Sequence, residues 1–152
     1  MRKGDAVPDF ELPDQTGAPR TLSGFLANGP VVLFFYPAAM TYGCTKESCH
    51  FRDLAAEFAA VGAQPVGISA DTVDKQKRFD EKESLGFPLL SDPDRVVADQ
   101  LGAKRGPSFL PNKRMTFVID TDRTILGVVH SEVSMGSHAD KALALLKARP
   151  TA

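Results

Sequence analysis

Between Gly29 and Pro37 runs Pro30-Val31-Val32-Leu33-Phe34-Phe35-Tyr36, apolar at every position and rich in β-branched and aromatic side chains. A strand with one wet face shows a polar residue at every second place, and a strand without that alternation has to be covered on both faces. The run therefore predicts a central strand with helices above and below it. It is far too short to cross a bilayer, which takes about 20 residues in helical form.

The rest of the chain supplies the covering layers. Phe51, Leu54, Ala55 and Phe58 fall at i, i+3, i+4 and i+7, and Gly62 supplies a stop, which predicts a helix over about 44–61. A strand over 64–69 follows, and Asp71 is placed to cap a polar helix over about 73–83. Residues 87–90 read as a short strand, 91–94 as a turn or cap, 96–101 as a short helix and 103–112 as a loop. Two apolar runs, 115–119 and 125–129, are joined by Asp120-Thr121-Asp122-Arg123-Thr124 as a hairpin, and 139–148 is an amphipathic closing helix. The start, with Pro8, Pro13, Asp14, Gln15, Gly17 and Pro19, reads as an irregular arm or hairpin in which only Phe10-Glu11-Leu12 alternates like a strand. Strands and helices alternating before a hairpin and a last helix fit an α/β, thioredoxin-like fold, a mixed central sheet with helices on both faces.

At 152 residues the expectation is a single domain over 1–152, large enough to fold without disulfides or metals. A formal net charge of -1 gives no reason to expect nucleic acid or an anionic membrane as a partner. Arg2 and Lys3 are followed by Gly4, Asp5, Pro8, Asp9 and Glu11 where a signal peptide needs an apolar core, so export is not expected. Two cysteines in such a chain point to the reducing cytoplasm, where a cysteine pair is more often catalytic or metal-binding than structural.

Cys44 and Cys49 lie where the buried strand leads into the first long helix: Pro37-Ala38-Ala39-Met40-Thr41-Tyr42-Gly43-Cys44-Thr45-Lys46-Glu47-Ser48-Cys49. This places Cys44 at a helix N-terminus, where unpaired N–H groups and the positive end of the macrodipole favour thiolate over thiol. The bland alternative is a pair of small buried apolar residues or a structural disulfide. In an intact helix residues five apart are displaced by about 7.5 Å along the axis and about 140° around it, beyond disulfide reach. A bridge that needs local unwinding and closes a tiny loop adds little stability and suits a reversible catalytic intermediate. Structural zinc needs about four ligands, and no second Cys/His cluster accompanies the pair, so no metal is expected.

Pro37, Thr41 and Cys44 stand in the pattern Pro-x-x-x-Thr-x-x-Cys, the signature of peroxiredoxins, and Cys49 stands at the resolving position of the peroxiredoxin Q group, also called bacterioferritin comigratory protein. The chain resembles that family over nearly its whole length, from Val7-Pro8-Asp9-Phe10-Glu11-Leu12-Pro13-Asp14 through Phe51-Arg52-Asp53 and Val66-Gly67-Ile68-Ser69 to Thr116-Phe117-Val118-Ile119-Asp120. The resemblance implies a thiol peroxidase that needs no metal, flavin or haem. Cys44 is oxidised by hydrogen peroxide or an organic hydroperoxide to sulfenic acid, Cys49 resolves it as an intramolecular disulfide, and thioredoxin or a similar dithiol reduces the bridge. By the same resemblance Arg114 holds the thiolate and polarises the peroxide, Thr41 offers its hydroxyl to the peroxide oxygens, and Pro37 shapes and shields the pocket. Only the family register selects Arg114 over Lys113 or Arg105.

Glu47 reads as structural, an acidic residue in the first turns favouring the macrodipole. One departure from the family stands out: similar proteins usually have Thr-Pro-Gly-Cys, whereas here Thr41-Tyr42-Gly43-Cys44 replaces a rigid ring with a phenol. A monomer is implied, with a dimer as the alternative. Two other functions remain open. One is a thiol-disulfide oxidoreductase on the same fold, although those use Cys-x-x-Cys. The other is a non-enzymatic thioredoxin-like binding domain that presents the loop over 104–112 to a partner.

Overall fold

The apolar run becomes β3 (Val31–Phe35), the middle of a five-stranded sheet ordered β5-β4-β3-β6-β7. The computed structural model describes residues 1–104, 112–132 and 134–149, so most of the predicted loop over 103–112 lies outside the described residues. β4 (Gln64–Ser69) runs parallel to β3, and β5 (Leu89–Ser91) parallel to β4. β6 (Met115–Ile119) and β7 (Ile125–His130) close the other side as an antiparallel hairpin, with β6 antiparallel to β3.

All five residues of β3 are fully buried, and alternate ones serve different cores. Val31, Leu33 and Phe35 pack with Phe117, Ile119, Val66 and Ile68 beneath α1 (Leu22–Leu26) and α5 (Val96–Leu101). Val32, Phe34 and Tyr36 face α2 (Tyr42–Asp53), α3 (Ala55–Ala60), α4 (Val73–Glu83) and α6 (Met135–Lys147). The second layer is largely aromatic: Phe34 stacks on Phe51 with centroids 4.2 Å apart, and Phe51 stacks on Phe58 at 5.7 Å. Helices thus cover both faces of a mixed sheet, the thioredoxin-like architecture. A small antiparallel hairpin, β1 (Glu11–Pro13) with β2 (Pro19–Thr21), sits apart from this sheet.

Several boundaries differ from the sequence expectation for identifiable reasons. The helix expected over 44–61 starts two residues earlier and is interrupted at Leu54, whose backbone leaves helical geometry (φ -97°, ψ 14°). The apolar period bridges that break because Phe51 and Phe58 stay in one core, and a shared face does not require a continuous hydrogen-bond ladder. Asp71 does not cap α4: Thr72 does, accepting from the Lys75 N–H at 3.2 Å. The strand after α4 begins at Leu89 rather than residue 87, and α6 begins at Met135 rather than 139. α1 has no counterpart in the sequence reading; it is five residues long and is capped by the Thr21 hydroxyl accepting from the Gly24 N–H at 3.0 Å.

β3 and β4 start side by side, with the Gln64 N–H donating to the Pro30 carbonyl at 3.0 Å. The two turns that lead into them touch. Gly29 has φ +135°, and a Cβ there would lie 2.1 Å from the Gly62 carbonyl oxygen. Gly29→Ala is expected to lower the unfolding free energy by roughly 2–4 kcal/mol in chemical denaturation, and a loss under about 0.5 kcal/mol would show that this approach is not tight.

Candidate active site

The site is built where β3 ends. Tyr36 continues the strand into a loop whose backbone is tied at several points. The Ala39 N–H donates to Asp71 Oδ2 at 2.7 Å, and Asp71 is itself held by the Ser69 hydroxyl at 2.7 Å and by Lys75 at 3.1 Å. Asp71, expected to cap a helix, therefore braces this loop instead. Met40 sits at φ 64°, a left-handed conformation that costs a non-glycine residue roughly 1 kcal/mol and persists where surrounding bonds enforce it. Thr41 takes the N-cap position of α2, and its carbonyl accepts from the Thr45 N–H at 2.9 Å. Its hydroxyl makes no cap and donates to the Ala38 carbonyl at 2.8 Å.

α2 turns a stripe of Cys44, Glu47, Ser48 and Phe51 inward, the i, i+3, i+4, i+7 spacing of one helix face. Cys44 is the third residue of the helix, fully buried, and its thiol is not in a disulfide. Arg114 Nη2 approaches Cys44 Sγ at 3.4 Å, and Nη1 donates to Glu47 Oε1 at 3.1 Å. Strand register explains how a residue so far along the chain arrives there. β6 pairs with β3 through Phe35↔Met115, so the position before Met115 falls beside the C-terminal end of β3, next to the start of α2. Arg114 is fastened at its backbone too, its N–H donating to the Glu132 carboxylate at 3.2 Å. Lys113 donates its backbone N–H to the Ala103 carbonyl at 2.7 Å, and Arg105 lies outside the described residues. Gly43 makes room: a Cβ there would meet Arg114 Nη2 at 3.2 Å and the Met135 methyl at 3.3 Å.

Cys49 lies in the same unbroken helix, half-buried, with Sγ 3.5 Å from Glu83 Oε2. Ideal helical geometry separates Cα atoms five apart by about 8.7 Å, above the disulfide limit of about 7 Å, so the two sulfurs do not bond in this conformation. Burial, and then the Glu83 carboxylate that receives its hydrogen, push the Cys49 thiol up. Pro37 is half-buried just past β3. Tyr42 opens α2 and is 84% exposed, which leaves its ring in solvent rather than over the sulfur.

Two further side chains in the cluster had no site role in the sequence reading. Glu47, expected to serve only the helix dipole, is fully buried and paired with Arg114. His138 of α6 is fully buried as well, with Nδ1 at 2.8 Å from the Thr116 hydroxyl and 3.5 Å from Glu47 Oε2, and Nε2 at 2.8 Å from the Ser131 carbonyl. Burial pushes the Glu47 carboxyl up to about 8, opposed by the charge and hydrogen bond of Arg114 and reinforced by Glu132. Burial holds His138 below its ordinary value, the Ser131 hydrogen bond opposing and Arg114 adding to the fall. For Arg114, burial favours the neutral form, but the neighbouring Cys44 sulfur and Glu47 carboxyl group outweigh it through electrostatics and hydrogen bonding and raise the guanidinium above its usual range. The result is a dry cluster in which one cation is shared between a sulfur and a carboxyl group.

Comparison with known proteins finds relatives over nearly the whole chain. The sequence pattern of the AhpC/TSA family matches residues 3–128. The crystal structure of peroxidoxin BcpB from Mycobacterium tuberculosis superposes with a TM-score of 0.96 at 63% identity, covering 99% of both chains. Peroxiredoxin Bcp of Escherichia coli is 40% identical over 152 aligned positions, covering 97% of this chain and 96% of its own. Xanthomonas campestris peroxiredoxin Q superposes with a TM-score of 0.84 at 31% identity, over 91% of this chain and 90% of that one.

A carboxyl whose folded value is raised stabilises the fold below its unfolded value and loses that contribution as pH climbs through the folded value. For Glu47 the window runs from 4.5 to about 8. Glu47→Gln is therefore expected to gain stability relative to the parent across that window, by on the order of a few kcal/mol at its upper end, as read by urea denaturation at stepped pH. A constant difference between the two proteins at every pH would mean that Glu47 does not change its protonation there.

Proposed function

As a member of the AhpC/TSA family, in its peroxiredoxin Q and bacterioferritin comigratory protein group, the chain is a thioredoxin-dependent thiol peroxidase, and we propose that Cys44 is its attacking sulfur, Arg114 its charge stabiliser and Cys49 its resolving thiol. The observation that carries the assignment is the Arg114 guanidinium at 3.4 Å from the sulfur of a cysteine in the first turn of a helix.

The Cys44 thiolate attacks one oxygen of the hydroperoxide along the O–O axis. A sulfur–oxygen bond forms, the O–O bond breaks, and the departing alkoxide or hydroxide takes a proton to leave as alcohol or water. Arg114 and the helix N-terminus face the negative charge as it moves from sulfur to the leaving oxygen. Thr41 and Pro37 border the approach, the threonine hydroxyl being free to turn from the Ala38 carbonyl to a peroxide oxygen. Cys49 then attacks the sulfenic sulfur, water leaves, and a disulfide forms. A thioredoxin dithiol restores both thiols by exchange.

The second step needs α2 to open, and two contacts hold Cys49 back until it does. Its hydrogen lies toward Glu83, and Arg52 ties the same helix to the Glu83 carbonyl at 2.5 Å. Opening frees the thiol from both burial and the carboxylate, so Cys49 becomes the better nucleophile as it comes within reach. The Arg114 contact weighs against an incidental Cys44 on a binding domain, because a guanidinium committed to a sulfur serves chemistry at that sulfur. Nothing in the geometry favours a plain thiol-disulfide oxidoreductase.

Mixing reduced protein with one equivalent of hydrogen peroxide should yield a Cys44–Cys49 linkage by peptide mass spectrometry, reversed by thioredoxin. Cys44→Ser should leave both peroxide and the remaining thiol untouched. Cys49→Ser should stop at Cys44 sulfenic acid and pass to sulfinic acid in excess peroxide, without turnover on thioredoxin. Arg114→Met should slow Cys44 oxidation by about 10²–10³-fold. Two unreacted thiols in the parent protein would sink the assignment, and full thioredoxin-linked turnover in Cys49→Ser would remove Cys49 from it.

A further inference from the structure

The chain of contacts from Cys44 through Arg114 does not end at Glu47. Among the described residues Glu47 Oε2 has no hydrogen-bond partner although its side chain is fully buried, and a nearby polar group is His138 Nδ1 at 3.5 Å. The other imidazole nitrogen, Nε2, lies 2.8 Å from the Ser131 carbonyl, which only accepts, so Nε2 carries a hydrogen. In a neutral ring Nδ1 is then a lone pair. The Thr116 hydroxyl at 2.8 Å can donate to that lone pair, but if Glu47 is ionised its Oε2 stays a bare carboxylate oxygen without a donor in a buried core, where unpaired polar groups are costly. One proton relieves this, either on Oε2 pointing at Nδ1 or on Nδ1 and divided between Oε2 and the Thr116 hydroxyl at 2.8 Å.

Resting on the assignment of Cys44 as the attacking sulfur, we propose that His138 is a positioning residue for the peroxide step, sharing one proton with Glu47 behind Arg114. With that proton in place the carboxyl group does not cancel the guanidinium, whose charge is left for the sulfur and the leaving oxygen. Without it, Arg114 is neutralised from behind. His138 touches no reacting atom and acts through Glu47 and Arg114.

The groups facing the pair are Arg114 ahead of β6, Thr116 on β6, His130 at the end of β7, and Ser131 and Glu132 just after it, with Cys44 of α2 on Arg114. Arg114 works against a proton on either partner, Glu132 favours one on both, and His130 disfavours one on His138. Burial dominates both members: it pushes the Glu47 carboxyl up to about 8 and holds the His138 imidazole below its ordinary value, so each leans to its uncharged form.

The test follows two signals on the reduced protein between about pH 6 and about pH 9.5. One is the rate constant for Cys44 oxidation by hydrogen peroxide in stopped flow, and the other is the imidazole nitrogen resonances of His138 by long-range proton–nitrogen NMR. The rate constant is expected to fall about five- to tenfold on the alkaline side as Arg114 is neutralised, and His138 Nδ1 to shift with the same midpoint. Glu47→Gln, which keeps a hydrogen-bonding group against Arg114 but cannot ionise, should lose the alkaline fall. An Nδ1 resonance that does not move, with or without an alkaline fall in rate, overturns the role of His138. So does an alkaline fall that persists unchanged in Glu47→Gln. Failure of Cys44 to react with peroxide at any pH would instead overturn the assignment of the attacking sulfur, and the NMR titration on unreacted protein keeps the two failures apart.

Discussion

The pairing of β3 with β6 is the contact on which the site depends. Phe35 opposite Met115 fixes the sheet at the point where one strand ends and the other begins, and it delivers a guanidinium to the first turn of α2. A register slip of one residue would turn every side chain of β6 to the other face and send Phe117 and Val118 into each other's cores. Because β3 is buried on both sides, such slips are heavily disfavoured, and the accuracy of the site is inherited from the core. The active loop is then tuned by short-range bonds: Asp71 holds the Ala39 N–H, and Met40 takes a left-handed turn that the neighbouring contacts enforce.

The interior behind the sulfur is unusual in what it buries. Glu47, Arg114, Thr116 and His138 are polar or ionisable, and all are nearly or wholly shielded from water. Replacing such a cluster with well-packed apolar side chains would often raise stability, so folding alone does not account for it. Beside it, the Phe34, Phe51 and Phe58 stack supplies the packing that keeps α2 and α3 seated on the sheet.

Much of the fold was legible because its signals are local or periodic. The unalternating run announced a two-sided strand, and the two apolar segments around Asp120-Thr121-Asp122-Arg123-Thr124 announced a hairpin. What escaped was set by single hydrogen bonds or by tertiary contacts: a five-residue α1, the interruption at Leu54, and the choice of Thr72 over Asp71 as a cap. For the site, Cys44 was legible from its place at a strand-to-helix junction. Arg114 was reached only through family resemblance, since its selection over Lys113 rests on strand register that no local pattern encodes. Glu47 was read only as serving the helix dipole and His138 was given no role, because hydrophobic periodicity treats a carboxylate and an isolated imidazole as surface residues. The available clue was that Glu47 occupies the i+3 place on the same helix face as Cys44 and Phe51.

The interruption at Leu54 bears on how far a disturbance of α2 can spread. Helix melting is cooperative because each residue released frees its neighbour, and the process halts where the ladder is already cut. α2 is in this sense a fuse of limited length. Unwinding that begins beside Thr41 consumes the segment bearing both cysteines and meets a boundary before α3, where Phe58 remains seated in the aromatic core. An opening that ran to this boundary would release Phe51 from Phe34 but leave Phe58 seated, so what it exposes is limited to α2 and the patch of sheet beneath Phe51.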